Sequence, residues 1–426
     1  MTPPSPTREL PWVTTHRLAA AYASMLGRRR VSGGNGSRSG SAVIVAPTSP
    51  GSLGDEAMMS ALSAQLAARG FERLRVAAWQ SGDEWWGDGG RLGCIQLPQA
   101  GLGPWIRFAH RIREAAALWV VGAEVLDGSY GVRPALRLLG AADLAGRLGL
   151  RTTVIGSSFG TTAHPLTVRF LGRLCRRVRV LARDCYSKRR LEEALCRPVP
   201  LVADIAFLLP PAKPEASPLI GEICGWIRQQ RQAGARLVVG CNLNPLPLAQ
   251  AGHGVGPLVE AYRETLERLD REDGPISVVL VPHDRRQPHG EISALWALGD
   301  VLPPHLARTT VLLEKPTTAA EAKAIVGECD IALSGRMHLA IAALGSGVPV
   351  ASLGYQGKCE GLFAHFDLED LVLDWREAVK PGRLLSWFTP LVARRKQVAA
   401  QIAARLPGTL ELATLNLASP EAAPEG

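Results

Sequence analysis

The stretch SGRMHLAIAALGSGVPVASLGYQGK, Ser334 to Lys358, sets Arg336 and His338 ahead of an apolar run and Tyr355 and Lys358 behind it. Arginine offers parallel N–H donors to a carboxylate or phosphate, and lysine offers a point charge. Histidine can hand over a proton near neutrality. Together they suit the binding of a small anion coupled to proton transfer. Further candidates lie elsewhere: Arg183 in LARDCYS, Asn242 in VGCNLNPL, His283 in VPHD, and Gly54, Asp55 and Glu56 in PTSPGSLGDEAMM. The last stretch is glycine-rich, follows an apolar run and precedes a helical pattern, as an anion-cradling turn does. It lacks the Lys-Ser/Thr of a P-loop and the spacing of a dinucleotide fingerprint.

Short β-rich runs alternate with helical patterns along most of the chain. SAVIVAP, LRVAAW, AALWVVGA, RTTVIGSS and VRVLARD form one series, and ARLVVGCN, ISVVLVPHD, TTVLLEK, DIALS and VPVASLGY a second. Such alternation predicts an α/β fold of two Rossmann-like parallel-sheet domains facing a cleft. The expected division is a mobile basic arm over residues 1–40, a first domain over 41–212, and a linker with connecting helix over 213–235. A second domain over 236–380 and a helical segment with a disordered tail over 381–426 complete it. In doubly wound sheets ligands bind beyond the carboxyl ends of the strands, and every candidate named above follows a strand. The helix and strand between His338 and Tyr355 would therefore bring the two polar ends of that stretch to one sheet edge.

The chain of 426 residues carries 48 Lys and Arg against 39 Asp and Glu, a net charge of +9. That balance favours anionic partners, either phosphorylated metabolites or a peripheral contact with anionic membrane. Nucleic acid is not expected, because no recognition helix, RNP-like motif or zinc finger is present. The eight scattered cysteines show no paired spacing and read as reduced thiols, neither a disulfide frame nor a metal site. Without a signal core or a membrane-length apolar run, the expected location is the cytoplasm, including the inner face of the cytoplasmic membrane.

GSLGDEAMM, LARDCYS, VADIAFLLP, VGCNLNPL, VPHD and SGRMHLAIAALGSGVPVASLGYQGK occur in an order and at spacings that resemble the polysaccharide pyruvyl transferase family over roughly residues 42–375. The resemblance implies a fold like that of two-domain glycosyltransferases of the GT-B type. It also implies an activity: the enolpyruvyl unit of phosphoenolpyruvate passes to two hydroxyls of a sugar or lipid-linked glycan in a cell-surface polysaccharide or glycolipid precursor. The products are a cyclic pyruvate ketal and phosphate. Phosphoenolpyruvate is the donor substrate, and neither cofactor nor metal is implied. One departure stands out. Where family members commonly carry a Gly-Gly-Gly run ahead of an Asp, this chain has Gly122, Ala123 and Glu124 before Asp127.

Through the resemblance His338 becomes the acid that protonates the donor's methylene carbon, and Arg183, Lys358 and Arg336 the cations that gather its carboxylate and phosphate. Asp55 is read two ways, as the base for an acceptor hydroxyl and as a helix cap. Arg336 is also read two ways, as a ligand contact and as an ion-paired support, because residues two apart do not share a helix face. Gly54, Glu56, Asp127, Asn242, His283 and Tyr355 are placed near acceptor or phosphate. Two alternatives remain: a glycosyltransferase using a nucleotide sugar, and a non-catalytic relative keeping the fold. The helix before Gly-x-Pro lacks the acidic residue such glycosyltransferases commonly use for the ribose.

Overall fold

The computed structural model describes residues 10–31, 40–87, 90–174, 177–286, 290–355 and 357–418. The chain divides into two compact units. The first comprises residues 1–50, 59–205 and 414–426, and the second residues 51–58 and 206–413. The stretch 213–235, expected as linker and connecting helix, thus groups with the second unit. So do the opening residues of the first α/β helix, which sequence spacing had assigned to the first domain.

In chain order the strands of the first unit are β1 (Ser41–Val45), β2 (Arg73–Ala78), β3 (Trp86–Gly87), β4 (Gly90–Arg91), β5 (Gly93–Gln96), β6 (Ala117–Val120), β7 (Arg151–Ser157) and β8 (Val178–Ala182). Its helices are α1 (Leu10–Val31), α2 (Leu53–Ala67, shared with the second unit), α3 (Leu102–Ile112), α4 (Val132–Arg147), α5 (Pro165–Leu171) and α6 (Cys185–Leu195). Six strands form one parallel sheet in the order β5-β2-β1-β6-β7-β8, and β3 and β4 pair as a separate hairpin. Every residue of SAVIV in β1 and of ALWV in β6 is buried. Helices cover both faces of such a sheet, so its central strands read as unbroken apolar runs. Trp105, Phe108 and Ile112 of α3 and Leu138, Leu139 and Leu144 of α4 pack in this core.

The second unit repeats the plan. Its strands are β9 (Leu237–Asn242), β10 (Ile276–Leu280), β11 (Thr310–Leu312), β12 (Ile331–Ser334), β13 (Val350–Gly354) and β14 (Val372–Asp374). Its helices are α7 (Pro218–Gln232), α8 (Leu246–Gln250), α9 (Gly256–Glu272), α10 (Ile292–Val301), α11 (Pro304–Arg308), α12 (Ala319–Gly327), α13 (Met337–Leu344), α14 (Cys359–Phe363), α15 (Trp375–Ala378) and α16 (Arg383–Thr414). The sheet order is β11-β10-β9-β12-β13-β14, all parallel. With the principal strands counted from the start of each unit, both sheets follow the doubly wound order 3-2-1-4-5-6, whose switch point lies between the first and fourth strands. In the second unit that point is β9/β12, where Ser334 pairs in register with Asn242. In the first it is β1/β6, and the altered Gly122–Glu124 stretch follows β6 directly.

Two features depart from expectation. Residues 10–31, expected within a mobile arm, form helix α1, which lies against α3 and α4. Ala19 and Ala23 are fully buried, and at Gly27 an added Cβ would lie 2.3 Å from the carbonyl oxygen of Arg147. A run of small residues lets helix backbones approach that closely, which composition alone does not disclose. The rest of the expected arm, 1–9 and 32–39, lies outside the described residues, as does the expected tail from 419 onward. The second departure is the return of the chain after α16 to the first unit. There the buried Asn416 accepts from Gly156 N–H (2.7 Å) and donates to the carbonyl of Ala203 (2.9 Å).

Asn416→Ala leaves one buried amide and one buried carbonyl without these bonds, and each orphaned group costs about 1–3 kcal/mol. Chemical denaturation should show a loss of roughly 2–4 kcal/mol in the transition of the first unit. A change within experimental error would contradict this anchoring role.

Candidate functional site

The second unit gathers most of the candidates at the β9/β12 switch point. The organising group is Glu291, the residue just before α10, whose side chain is fully buried. Its carboxylate accepts from Asn242 Nδ2 (2.5 Å), at the end of β9, and from the backbone N–H of His283 (2.6 Å), just past β10. It also pairs with Arg336 Nε, just past β12. Three strand ends are thus tied to one anion. Burial raises the pKa of Glu291, and Arg336 with the His283 and Asn242 donors works against that rise.

Arg336 reaches a second carboxylate, Asp284, at 3.4 Å. Burial alone would lower its pKa, but Glu291, Tyr355 and Asp284 outweigh burial and raise it. A buried guanidinium must be paired, and this one is. Its backbone is extended (φ −127°, ψ 131°), so Arg336 precedes α13 instead of belonging to it. The rule against residues two apart sharing a face therefore does not bind here, and both Arg336 and His338 act electrostatically on His283. The Ser334 hydroxyl accepts from Arg336 N–H (3.1 Å) and donates to the Arg336 carbonyl (2.7 Å).

The strand-following turn of residues 51–56 closes against this cluster. Leu53 N–H donates to the His283 carbonyl (2.9 Å), and Arg285 N–H donates to the Gly51 carbonyl (3.1 Å). Gly51 holds φ +120°, a region that favours glycine, and a Cβ there would lie 2.7 Å from Arg286 Cγ. Asp55 pairs with Arg286 at 3.5 Å, and Arg286 also grips Asp284 at 2.6 Å. Glu56 turns elsewhere and accepts from Ala319 N–H (2.9 Å) at the start of α12. Burial raises the pKa of Glu56, and the hydrogen bond from Ala319 works against that rise.

At Gly54 an added Cβ would stand 2.4 Å from His338 Nδ1 and 2.6 Å from its Cγ. The glycine is therefore what gives the imidazole its place. His283 lies deeper, at 3% exposure, and neither ring nitrogen has a hydrogen-bond partner in the structure. Its pKa is pushed well below the ordinary 6.5 by burial, then by His338 and Arg336. Buried ring nitrogens of this kind call for a ligand or water partner. Lys358, just before α14, is buried at 4% exposure, and Tyr355 follows β13 and faces Arg336 electrostatically.

The first unit has its own charged centre. Arg183, just past β8, is 4% exposed and donates to Ser158 Oγ (2.7 Å), Asp204 (3.1 Å) and Glu124 (3.1 Å). Burial opposes its charge, but Asp204, Glu124 and Asp184 outweigh burial and raise its pKa. Ala123 adopts φ +45°, the left-handed region that suits glycine. The neighbouring Glu124 sends its carboxylate to Arg183 and accepts from Tyr130 Oη (3.1 Å). Asp127 is buried and accepts from Ser129 N–H (2.8 Å) and Gly160 N–H (2.9 Å), which makes it a loop-shaping group.

Three residues escaped sequence reasoning: Asp284, Arg286 and Glu291. All lie in HDRRQPHGE, whose charge density straight after an apolar strand was a usable signal. Among the described residues no cluster of His, Cys, Asp and Glu could hold a metal ion. No described helix is long and apolar enough to cross a membrane.

The polysaccharide pyruvyl transferase family model matches residues 53–357. No curated protein matches the chain. Among solved structures the chain is similar to HepE from Anabaena, in complex with UDP, at 13% identity, covering 88% of this chain and 97% of that one with a TM-score of 0.54. It is also similar to UDP-GlcNAc 2-epimerase from Neisseria meningitidis, bound to UDP-GlcNAc (14%, 88% and 97%, TM-score 0.53). A glycosyltransferase from Rickettsia africae is a third (10%, 88% and 98%, TM-score 0.52). At such identities the likeness is one of fold, the GT-B-like pairing of two parallel α/β sheets.

The His283 ring should stay neutral as pH falls through about 6.5, the ordinary imidazole value, while the unfolded chain takes up its proton there. The stability gained by keeping this ring neutral is therefore present above that pH and lost below it. Nitrogen-15 NMR of the labelled imidazoles, with His283→Gln for assignment, reads the ring directly. A His283 that titrates at or above its ordinary value contradicts the assignment.

Proposed function

The chain belongs to the polysaccharide pyruvyl transferase family, a polysaccharide-modifying transferase, and from that premise we propose that it forms a pyruvate ketal from phosphoenolpyruvate. The observation that carries the reading is the imidazole of His338 held against Gly54 at the second sheet's switch point, beside Arg336 and the neutral His283. His338 gives its proton to the methylene carbon of the donor, which becomes the methyl group, and the adjacent carbon becomes oxocarbenium-like. One acceptor hydroxyl attacks that carbon and loses its proton to Asp55. The second hydroxyl then displaces phosphate, which carries away that hydroxyl's proton, and the proton held by Asp55 returns to His338. The sum is donor plus diol giving ketal plus phosphate, with no redox change.

The charge balance shapes how the donor would bind. Asp55, Asp284 and Glu291 outnumber Arg286 and Arg336 among the paired groups of the cluster. A triply anionic donor therefore needs further positive charge, which we assign to Lys358 and to His338 in its protonated form. Arg336 contributes as well, since a guanidinium carries five N–H donors, more than its two ion pairs occupy. Arg183 belongs to the first unit and is already held by Asp204 and Glu124. An anionic ligand reaches Arg183 only by taking the place of Glu124 in that pair. The unbonded ring nitrogens of His283 offer the acceptor or phosphate a hydrogen-bond donor and acceptor.

Phosphate release from phosphoenolpyruvate, measured across a panel of glycan acceptors, tests the proposal. His338→Ala should fold yet lose roughly 10²–10⁴-fold in turnover, the span of general acid–base catalysis. Gly54→Ala, whose Cβ would stand 2.4 Å from Nδ1 and so push the imidazole out of its place, should lose turnover too, while Lys358→Ala should mainly raise the KM for the donor. Tight binding of a nucleotide sugar, with none of phosphoenolpyruvate, would replace this reading by glycosyl transfer.

A further inference from the structure

Helix α1 lies outside the residues that the family model matches, and it has two apolar faces. One is buried through Ala19 and Ala23 against α3 and α4. The other carries Leu18 and Met25, 56% and 44% exposed, with Ala21 exposed between them. These positions are three and seven apart, so they form one stripe along the helix. Arg17 and Arg28, both exposed, flank the stripe.

Beside the stripe, within the first unit, α1, α4 and α5 border a cavity of about 330 Å³. Its lining combines the apolar Ala20, Ala21 and Phe170 with three arginines, Arg17, Arg147 and Arg173. The one carboxylate there, Asp143, is bonded to Arg147 at 2.7 Å, with the buried His16 Nε2 at 3.7 Å. Arg147 Nη1 also reaches Ser24 Oγ of α1 at 3.5 Å, so the helix and the cavity wall are one piece. An apolar stripe flanked by arginines beside an arginine-rimmed, apolar-walled hollow fits an amphiphile with an anionic head. A fully hydrated free anion would gain nothing from Ala20, Ala21 and Phe170.

We propose that this face of the first unit docks on an anionic phospholipid surface, with the Leu18–Met25 stripe in the headgroup boundary and a lipid phosphate in the arginine-rimmed cavity. Interfacial helices bind through buried apolar area together with attraction of basic residues to anionic lipid. The proposal is independent of the reaction assigned to the second unit.

Flotation of the full chain with vesicles of phosphatidylcholine alone, and with phosphatidylglycerol added, tests it. The chain should float only with anionic vesicles, and less as salt is raised. Arg17→Ala with Arg173→Ala should weaken partitioning roughly 25-fold, from about fivefold per basic residue near the surface. Leu18→Ser with Met25→Ser should weaken it without removing the salt dependence, and circular dichroism should show both variants folded. Failure to float with anionic vesicles overturns the proposal, as does equal binding to neutral ones. Binding unchanged by both double variants also overturns it. So does stabilisation by inorganic phosphate that depends on Arg17 and Arg173 while vesicles are ignored.

Discussion

A single buried carboxylate organises the second unit's site. Glu291 is removed from water, a state that costs several kcal/mol per ion unless pairing and hydrogen bonds compensate. Its partners come from the ends of β9, β10 and β12. Such a group is expensive to leave unsatisfied, so the three strand ends are held in one arrangement. The loop that carries His283, the turn before α13 and the start of α2 then follow, since Leu53 bonds to the His283 carbonyl. His338 takes its position from Gly54 in that same turn.

The electrostatic consequence is a division of labour between two imidazoles. His283 is deep, beside Arg336 and His338, and is kept neutral. His338 lies nearer the surface at the start of α13. Neighbouring titratable groups whose surroundings differ this much are a recognised mark of acid–base sites. The guanidiniums Arg336 and Arg286 do not stand ready as bare cations. Each is matched by carboxylates, which preserves the fold and leaves an anionic ligand to compete for, or add to, existing pairs. The same holds for Arg183 in the first unit, where Glu124 supplies one of the pairs.

Much of the architecture was legible in the sequence because the physics is local. Runs such as SAVIV and ALWV, bounded by turn residues and followed by helical spacing, imply parallel strands covered on both faces. The placement of Asn242, His283 and Arg336 after strands put them at one sheet edge, and the register of Ser334 with Asn242 does so in fact. What was not legible depends on distant contacts. The pairing of Arg183 with Glu124 and Asp204, 59 and 21 residues away, has no periodic signal. Nor has the bond of Glu56 to Ala319, 263 residues on. Helix α1 was hidden for a different reason: its buried face is alanine and glycine with one histidine, His16, so close packing replaces the large apolar side chains that mark an amphipathic pattern. The same composition, rich in arginine, read as a solvated arm.

The measurement closest to the central claim is the stability of Glu291→Gln, which keeps shape and size while removing the charge. Urea denaturation, followed through tryptophans of the second unit such as Trp375 and Trp387, reads it. If Glu291 is the anion that holds the strand ends, the variant leaves Arg336 with a neutral amide in place of its nearest carboxylate. A loss of about 3–5 kcal/mol is then predicted, as for breaking a buried ion pair from one side. A variant as stable as the parent chain would show that the strand ends are held by something else.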